Sequence, residues 1–309
     1  MPTNIYFALL YNHRMDEIKI IELNKKDWTE QEGFSSKGKR VKGWYERNHD
    51  GLLFLYKEPK IFQSTNFVTP EIWTEFIAYK IGEYLKLNVP KVILAKNIIK
   101  PNKVGYGVLI ENFITENEEL VEAKEFLTHH DLHVIKYILS SNLMVKWTWK
   151  NFKKMLIFDS LIGNNDRHDE NWGLCVNIFT KEFKLAPIYD NASCLTNQLD
   201  EQKVLKMLLE PGLIERYVEK SRPPNLYLKP DDLQKYTHYE LIQELIKSET
   251  DMSDLLNDLL TFDYIDYVDD IMTNIQSLDV PNEYKLFDNR KKVILEILKL
   301  RRQKLKELV

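Results

Sequence analysis

The sequence predicts an α+β fold with two lobes, a small β-rich N-terminal lobe and a larger helical C-terminal lobe. Over about the first hundred residues, short segments rich in β-branched and aromatic residues are bounded by Gly, Asn, Pro or charged residues, which is typical of strands. One stretch with helical periodicity, IWTEFIAYKIGEYLKL, interrupts these segments. Beyond Glu118, apolar and polar residues alternate with the helical period over most of the remaining chain.

Length and composition agree with a soluble globular protein. The chain has 309 residues, enough for two lobes around a shared cleft, with 44% hydrophobic and 29% charged residues. The net charge of −4 gives no reason to expect nonspecific binding to nucleic acid, so no direct nucleic-acid partner is expected. No apolar run reaches the roughly 18 residues of a transmembrane helix, and the N-terminus lacks the pattern of a secretory signal. We therefore expect a cytoplasmic protein.

The strands predicted for the N-terminal lobe are IYFALLY, GLLFLYK, VPKVILAKN and GYGVLIENF. The helix among them is predicted to begin at Thr69-Pro70-Glu71, with Thr69 as the N-cap and Pro70 in the first turn. These elements place the N-terminal lobe at residues 1–110, a connector at 111–118 and the helical lobe at 119–309.

Helices predicted for the second lobe are HDLHVIKYILSSNL, WKNFKKMLIFDSLIG, QKVLKMLLEPGLIERYVEK, DDLQKYTHYELIQELIK and the closing NRKKVILEILKLRRQKLKEL. The closing helix is basic and amphipathic. Packing of this helix on its own lobe is the commoner outcome, and docking on a membrane surface or an acidic partner is the alternative.

The segment IFDSLIGNNDRHDENWGL, followed by KLAPIYDNASCL, crowds polar residues where a simple turn needs only one or two. Phosphoryl transfer accounts for these residue types, because it requires an oriented hydroxyl and magnesium held against phosphates. Asp166 is suited to accept the hydrogen bond and finally the proton of the incoming hydroxyl. Asn171 offers a carbonyl oxygen to magnesium, and Asp190, expected at a strand end, offers a carboxylate. His168 is expected to brace the loop through a hydrogen bond.

Taken alone, a loop of this composition is equally typical of helix capping and turns. Asp190 favours the functional interpretation, because an Asp-x-x-x-x-Asn loop followed some twenty residues later by a strand-end Asp matches the protein-kinase arrangement.

These motifs resemble those of the HipA-type serine/threonine kinases, including the compact HipT-like and CtkA-like members. The family's N-x-D-R-H-x-x-N loop and P-x-Y-D segment are present as GNNDRHDENWG and APIYDNASCL. The resemblance implies a bilobal protein-kinase-like fold, ATP and Mg²⁺ as ligands, and Asp166, Asn171 and Asp190 in the roles given above. Full-length HipA proteins carry an extra N-terminal subdomain, and this chain looks short of it, which favours the compact arrangement.

A kinase also needs a strand lysine for the α- and β-phosphates and a helix glutamate that pairs with it. Lys57 ends the segment GLLFLYK, and Glu75 lies on the following helix. A surface lysine and glutamate on amphipathic elements are the alternative, and the position of each relative to its strand or helix favours the ATP-binding role.

The phosphate loop is expected before Lys57, in GFSSKGKRVKGWYE. It resembles the S-x-x-G-x-x-x-K loop of the family, with candidate ATP-binding residues Ser35, Ser36, Gly38 and Lys42. Without the resemblance, a basic exposed hairpin loop is the alternative. In the family a serine of this loop is autophosphorylated, which implies Ser35 or Ser36 as the modified residue.

The connector at 111–118, within GYGVLIENFITENEEL, is expected to meet the adenine. By position, the resemblance places the adenine edge at the backbone carbonyl of Glu111 and the backbone amide of Phe113. It also adds His168 to the residues of the ATP site.

The resemblance implies a protein substrate with a Ser or Thr acceptor, either an aminoacyl-tRNA synthetase or, for an effector, a host protein. It also implies an antitoxin protein as a partner of a toxin. Two other functions stay open at this point. A phosphatidylinositol or small-molecule phosphotransferase shares the D-x-x-x-x-N chemistry, and a pseudokinase or binding module shares the fold.

Overall fold

The structure, a computed structural model, describes residues 17–32, 42–99, 104–128, 131–140, 148–224, 226 and 235–309. Three of the predicted phosphate-loop residues, Ser35, Ser36 and Gly38, lie outside the described residues, as does the predicted strand IYFALLY. Lys42, the fourth, begins a strand.

The first half of the described chain forms strands around one helix. The strands are β1 (Ile21–Leu23), β2 (Trp28–Gln31), β3 (Lys42–Arg47), β4 (Leu53–Lys57), β5 (Ile61–Phe62), β6 (Phe67–Val68), β7 (Val92–Asn97) and β8 (Gly105–Glu111). Within the described residues, six of them make one sheet in the order β1-β7-β8-β4-β3-β2, and β5 and β6 make a separate hairpin. Only the β1–β7 pair of this sheet is parallel.

The six-stranded sheet is covered on both faces. Because side chains alternate along a strand, Phe54 and Tyr56 of β4 enter a small core on one face, whereas Lys57 belongs to the other face. Val108, opposite Lys57 in register, belongs to the large core that also contains the helix of this region. The strand lysine therefore lies on the same side of the sheet as that helix.

Helix α1 (Glu71–Tyr84) is buried along most of its length. The prediction that Thr69 caps it is wrong. Pro70 occupies the N-cap position, no side chain caps the helix, and the Thr69 hydroxyl is buried with no partner in the described part of the chain. Proline takes this position because its fixed φ suits a helix start. The Glu71 carboxylate in the first turn instead accepts a hydrogen bond from the backbone N–H of Lys60 at 2.9 Å.

The second half is mostly helical. Its elements are β9 (Glu118–Glu122), α2 (Ala123–Phe126), α3 (Leu132–Ser140), α4 (Thr148–Ile162), β10 (Gly173–Asn177), β11 (Phe183–Leu185), α5 (Glu201–Leu209), α6 (Leu213–Glu219), α7 (His238–Ser248), α8 (Met252–Leu260), α9 (Ile265–Gln276), a 3-10 turn (Asn282–Tyr284) and α10 (Asp288–Lys306). Strands β11, β10 and β9 form an antiparallel sheet, with β10 central. The predicted α+β fold, with a sheet-rich first part and a helical second part, is confirmed.

One apolar core runs from α1 into the helical part. Trp73 and Ile77 of α1 belong to the same buried cluster as Phe158 of α4 and Ile271 of α9. Burial of each such large side chain stabilises the fold by roughly 1.5–3 kcal/mol. Helix α1 is therefore held by the helical part as well as by its own sheet.

The segment predicted as one helix around EPG is two helices, because Pro211 ends α5 and Gly212 turns the chain with φ 76° before α6. In the closing helix α10, Arg290 and Arg301 are 2% and 1% exposed, so those two arginines contribute nothing to a basic docking face. None of the helices in the described ranges combines the length and the apolar character needed to span a membrane.

Candidate active site

The candidate catalytic loop begins where α4 ends. Gly163 follows Ile162 with φ 68°, a conformation that costs a side chain energy, and a Cβ there would overlap the buried guanidinium of Arg301. Asn164 is fully buried, and its Nδ2 donates to Asp159 Oδ1 at 3.2 Å. Its Oδ1 accepts from the backbone N–H of Asp166 at 3.0 Å. The start of the loop is thereby tied to the helix that precedes it.

Arg167 connects the loop to the segment around Asp190. Its guanidinium binds the Asp159 carboxylate through two hydrogen bonds, Nε to Oδ2 at 3.0 Å and Nη2 to Oδ1 at 2.9 Å. It also donates to the backbone carbonyls of Asn171, at 2.8 Å, and Tyr189, and to the side chain of Asn191. Burial opposes the charge on Arg167, but the Asp159 carboxylate outweighs it and raises the pKa of the guanidinium.

Asp166 and Asn171 lie within one tight turn. Asn171 Nδ2 donates to the backbone carbonyl of Asp166 at 2.7 Å, and the backbone N–H of Asn171 donates to the carbonyl of His168 at 2.8 Å. The His168 Nε2 lies 3.2 Å from Asn171 Nδ2, in agreement with the predicted bracing. With its amide nitrogen bound within the loop, Asn171 has its Oδ1 to offer as a ligand. The Asp166 carboxylate is 48% exposed and faces solvent.

Asp190 meets the strand lysine across the cleft between the two parts. Lys57 Nζ lies 3.1 Å from Asp190 Oδ1. The prediction that a strand end delivers Asp190 is wrong, because β11 ends at Leu185 and an irregular segment carries the chain onward. Asp190 itself has φ 56°, a left-handed conformation that aspartate tolerates better than most residues. Such conformations cluster at functional sites.

Lys42 is the direct neighbour of Lys57 across the β3–β4 pair. Side chains directly opposite each other in an antiparallel pair lie on the same face, and like charges there repel. Lys42 therefore belongs to the same face of the sheet as Lys57, which contacts Asp190.

Glu75 of α1 is 2% exposed and reaches the segment after Asp190. Its Oε1 accepts from the backbone N–H of Asn191 at 3.0 Å, and its Oε2 has no hydrogen-bond partner in the part of the chain that the structure describes. Burial raises the pKa of Glu75, and the positive charge of Lys57 opposes that increase. Glu75 therefore lies within electrostatic reach of Lys57, which itself contacts Asp190.

The connector contributes an aromatic contact next to the segment that carries Asp190. Glu111 ends β8 and donates its backbone N–H to the carbonyl of Lys91 at 2.9 Å. The ring of Phe113 stacks on Tyr189, with centroids 5.6 Å apart and planes 26° apart. A cavity of about 500 Å³ opens beside the connector, lined by α1, the turn after it and residues 111–113. Asp166, Asn171 and Asp190 do not line this cavity.

Contacts among the described residues thus link Lys57, Asp190, Asp166, Asn171 and Glu75. The sequence alone does not reveal the contacts that Asp159 and Ser193 make in this site. The signal for Asp159 was a lone acid on an otherwise apolar helix face, shortly before an arginine. Ser193, whose hydroxyl lies 3.1 Å from Asp166 Oδ2, carried no sequence signal beyond lying soon after Asp190.

No family model matches the sequence. A curated relative is the serine/threonine-protein kinase CtkA of Helicobacter pylori, 27% identical over 195 residues, which are 61% of this chain and 58% of that kinase. The matched region therefore spans less than two thirds of the relative's own length.

Among solved structures, the crystal structure of a Helicobacter pylori proinflammatory kinase, CtkA, superposes with a TM-score of 0.75. It is 21% identical and covers 94% of this chain and 96% of that one. A Shewanella oneidensis HipA, solved with HipB and operator DNA, gives a TM-score of 0.48 at 12% identity, covering 88% and 64% of the two chains. The predicted resemblance to CtkA-like kinases is confirmed: the chain is a homologue of CtkA over the matched residues and has the fold of that kinase.

Proposed function

We propose that this chain is an ATP- and Mg²⁺-dependent serine/threonine protein kinase. The observation that carries the proposal is the contact of Lys57 with Asp190 at 3.1 Å, beside a loop that holds Asp166 and Asn171 in one turn. A phosphate-binding cation, two hard oxygen ligands and a solvent-facing carboxylate are the groups that phosphoryl transfer requires. The homology to a named serine/threonine kinase supports the same activity.

Each residue has a role in this proposal. Lys57 binds the phosphates of ATP, with Lys42 beside it on the neighbouring strand. The buried carboxylate of Glu75 interacts electrostatically with Lys57. Asp166 orients the acceptor hydroxyl and receives its proton. Asn171 and Asp190 hold Mg²⁺, because amide and carboxylate oxygens are the ligands that this ion prefers. When bound, Mg²⁺ neutralises charge on the transferred phosphoryl group.

Further parts of the proposal rest on the resemblance. Glu111 and Phe113 meet the adenine through their backbones, His168 braces the metal ligand Asn171, and Ser35, Ser36 and Gly38 contribute to the phosphate loop. Autophosphorylation of Ser35 or Ser36 would add about −1.5 to −2 charge beside the phosphates of ATP and restrain activity.

The substrate in this proposal is a protein with a Ser or Thr acceptor. As a bacterial toxin the chain would act in the cytoplasm on a target such as an aminoacyl-tRNA synthetase, with an antitoxin as partner. As a CtkA-like effector it would act on a host protein.

The test is transfer of radiolabelled phosphate from ATP, with Mg²⁺, to mixed protein acceptors and to phosphatidylinositol vesicles. We expect labelled protein with wild type, loss of the label on removal of Mg²⁺ and in Asp190→Asn, and wild-type labelling in Asp258→Asn, a matched change on the exposed face of α8. Preferential labelling of lipid would contradict the protein-kinase assignment, and no labelling of any acceptor would favour a pseudokinase.

A further inference from the structure

Ser193 contacts the base in the candidate site. Its hydroxyl donates a hydrogen bond to Asp166 Oδ2 at 3.1 Å, and the serine is partly exposed. Asp166 Oδ1, the other carboxylate oxygen, lies 3.8 Å from His168 Nε2. The two oxygens of the base therefore have different surroundings.

The backbone around Ser193 is fixed by two other elements. The Thr74 hydroxyl of α1 donates to the carbonyl of Ala192 at 2.7 Å, and Thr74 is fully buried. The backbone N–H of Asn165, in the catalytic loop, donates to the carbonyl of Ser193 at 3.3 Å. Cys194 Sγ lies 3.8 Å from the carbonyl of Thr74. The serine is thus clamped between α1 and the loop that carries Asp166.

We propose that Ser193 is a positioning residue that turns the Asp166 carboxylate so that Oδ1 meets the acceptor hydroxyl. The inference rests on the proposed kinase function. The terminal torsion of an aspartate is broad, and the Asp166 carboxylate is half exposed, so without a partner it samples many orientations. A base that is misplaced by a small angle loses much of its rate advantage, because the proton acceptor must be aligned when the hydroxyl attacks.

Phosphate transfer to the Ser193 hydroxyl itself is the alternative to a positioning role, and mapping of phosphorylated peptides distinguishes the two. The carbonyls of Ala192 and Ser193 are both held by hydrogen bonds, which fixes the backbone from which the serine side chain projects. Through Thr74, the orientation of the base depends on the position of α1, the helix that carries Glu75.

The experiment measures steady-state phosphate transfer to a protein acceptor by the full chain. We expect Ser193→Ala to lower kcat on the order of tenfold with the KM for ATP unchanged, because the serine orients the base and does not bind ATP. Ser193→Thr, which keeps the hydroxyl, should restore most of kcat. Ser248→Ala is the matched control, since that exposed serine bonds only backbone carbonyls of α7.

A double-mutant cycle tests the link to α1. Thr74→Val removes the hydroxyl that holds Ala192 and should lower kcat by itself, but the Thr74→Val, Ser193→Ala double variant should match Ser193→Ala alone. Mass spectrometry of proteolytic peptides after incubation with MgATP should find no phosphate on Ser193.

Three results would overturn the inference. The first is wild-type kcat in Ser193→Ala, and the second is additive effects of the two changes. The third is phosphate on Ser193 together with higher activity in Ser193→Ala, which would make the serine a self-modification site. Absence of transfer by wild type is a distinguishable failure, because it removes the proposed function and the inference together.

Discussion

At the residue scale, Arg167 holds several parts of the candidate site together through hydrogen bonds. Its guanidinium holds a buried carboxylate on α4, two carbonyls and the Asn191 side chain at once. Arg167 thus joins the candidate catalytic loop to the segment around Asp190, whose residues Tyr189 and Asn191 lie 22 and 24 positions further along the chain. The motif reveals an arginine but cannot reveal that Asp159 is its partner, because that pairing depends on how α4 packs.

Replacing Arg167 by Met should lower the free energy of unfolding by about 3–5 kcal/mol, because it leaves the Asp159 carboxylate buried without its counter-ion. Urea denaturation monitored by circular dichroism measures the change. The control is Lys299→Met, whose ion pair with Glu296 has both side chains 53% exposed and should contribute less than about 1 kcal/mol. Equal losses in the two variants would contradict the central role of Arg167.

The buried side chain of His238 should make the free energy of unfolding depend on pH. It is buried behind the loop, hydrogen-bonds to the backbone of Asn164, and its Nε2 has no partner among the described residues. Burial and the nearby charge of Arg301 lower its pKa from 6.5 to about 3. Below pH 6.5 the unfolded chain binds a proton that the folded chain does not, so folding stability is full above pH 6.5 and falls toward pH 3.

Thermal or urea unfolding at about pH 7, 6, 5 and 4 measures this dependence. In His238→Asn the slope of stability against pH should be smaller over that window. A slope that is unchanged in the variant would assign the acid sensitivity to other groups.

At the element scale, the junction of α4 with the loop depends on Gly163. Its positive φ and the guanidinium of Arg301 behind it leave no room for a side chain. Gly212 has a similar φ of 76°, but nothing lies within 4 Å of a Cβ built there. Comparing alanine substitutions at the two glycines therefore separates the free-energy cost of a left-handed backbone from the cost of steric overlap.

Gly212→Ala should destabilise the protein by about 1–2 kcal/mol, the cost of a left-handed conformation for alanine. Gly163→Ala should cost more than that and also lower the rate of phosphate transfer, since the shift enters the loop that holds Asp166. Chemical denaturation and the transfer assay on both variants measure this. Equal destabilisation, with activity intact in Gly163→Ala, would rule out the proposed tight junction.

For single helices and strands, local sequence patterns predict those features that depend only on neighbouring residues in the chain. The strand that ends in Lys57 and helix α1 lie where the sequence predicts them. The Thr69 cap fails because Pro70 occupies the N-cap position itself. The burial of Arg290 is invisible to periodicity, because it depends on Glu201 at 2.7 Å and on distant backbone carbonyls that only the tertiary fold supplies.

At the scale of the whole molecule, α1 joins the two parts. Trp73 Nε1 donates to the carbonyl of Tyr284 at 2.7 Å, and the side chains of Thr74 and Glu75 bind the segment after Asp190. The sequence predicts four separated functional segments, and their meeting at one cleft follows from the lobed fold. The contacts that fix α1 against the helical part cannot be predicted from local sequence patterns, because their partners are more than a hundred residues away in the chain.

The shared core predicts that both parts unfold together. Equilibrium urea denaturation should give coincident single transitions by far-ultraviolet circular dichroism and by tryptophan fluorescence, since α1 cannot leave the helical part without exposing Trp73. Two transitions separated along the urea axis would contradict a continuous core.

The most direct test of the kinase assignment compares phosphorylated proteins in bacteria that express wild type or Asp166→Ala at equal levels. The change removes only the carboxylate that is proposed to orient the acceptor hydroxyl, so it makes no assumption about the substrate. We expect phosphoserine or phosphothreonine sites that occur with wild type and are lost with Asp166→Ala. Identical sets of sites in the two strains, with both proteins folded, would contradict the kinase assignment.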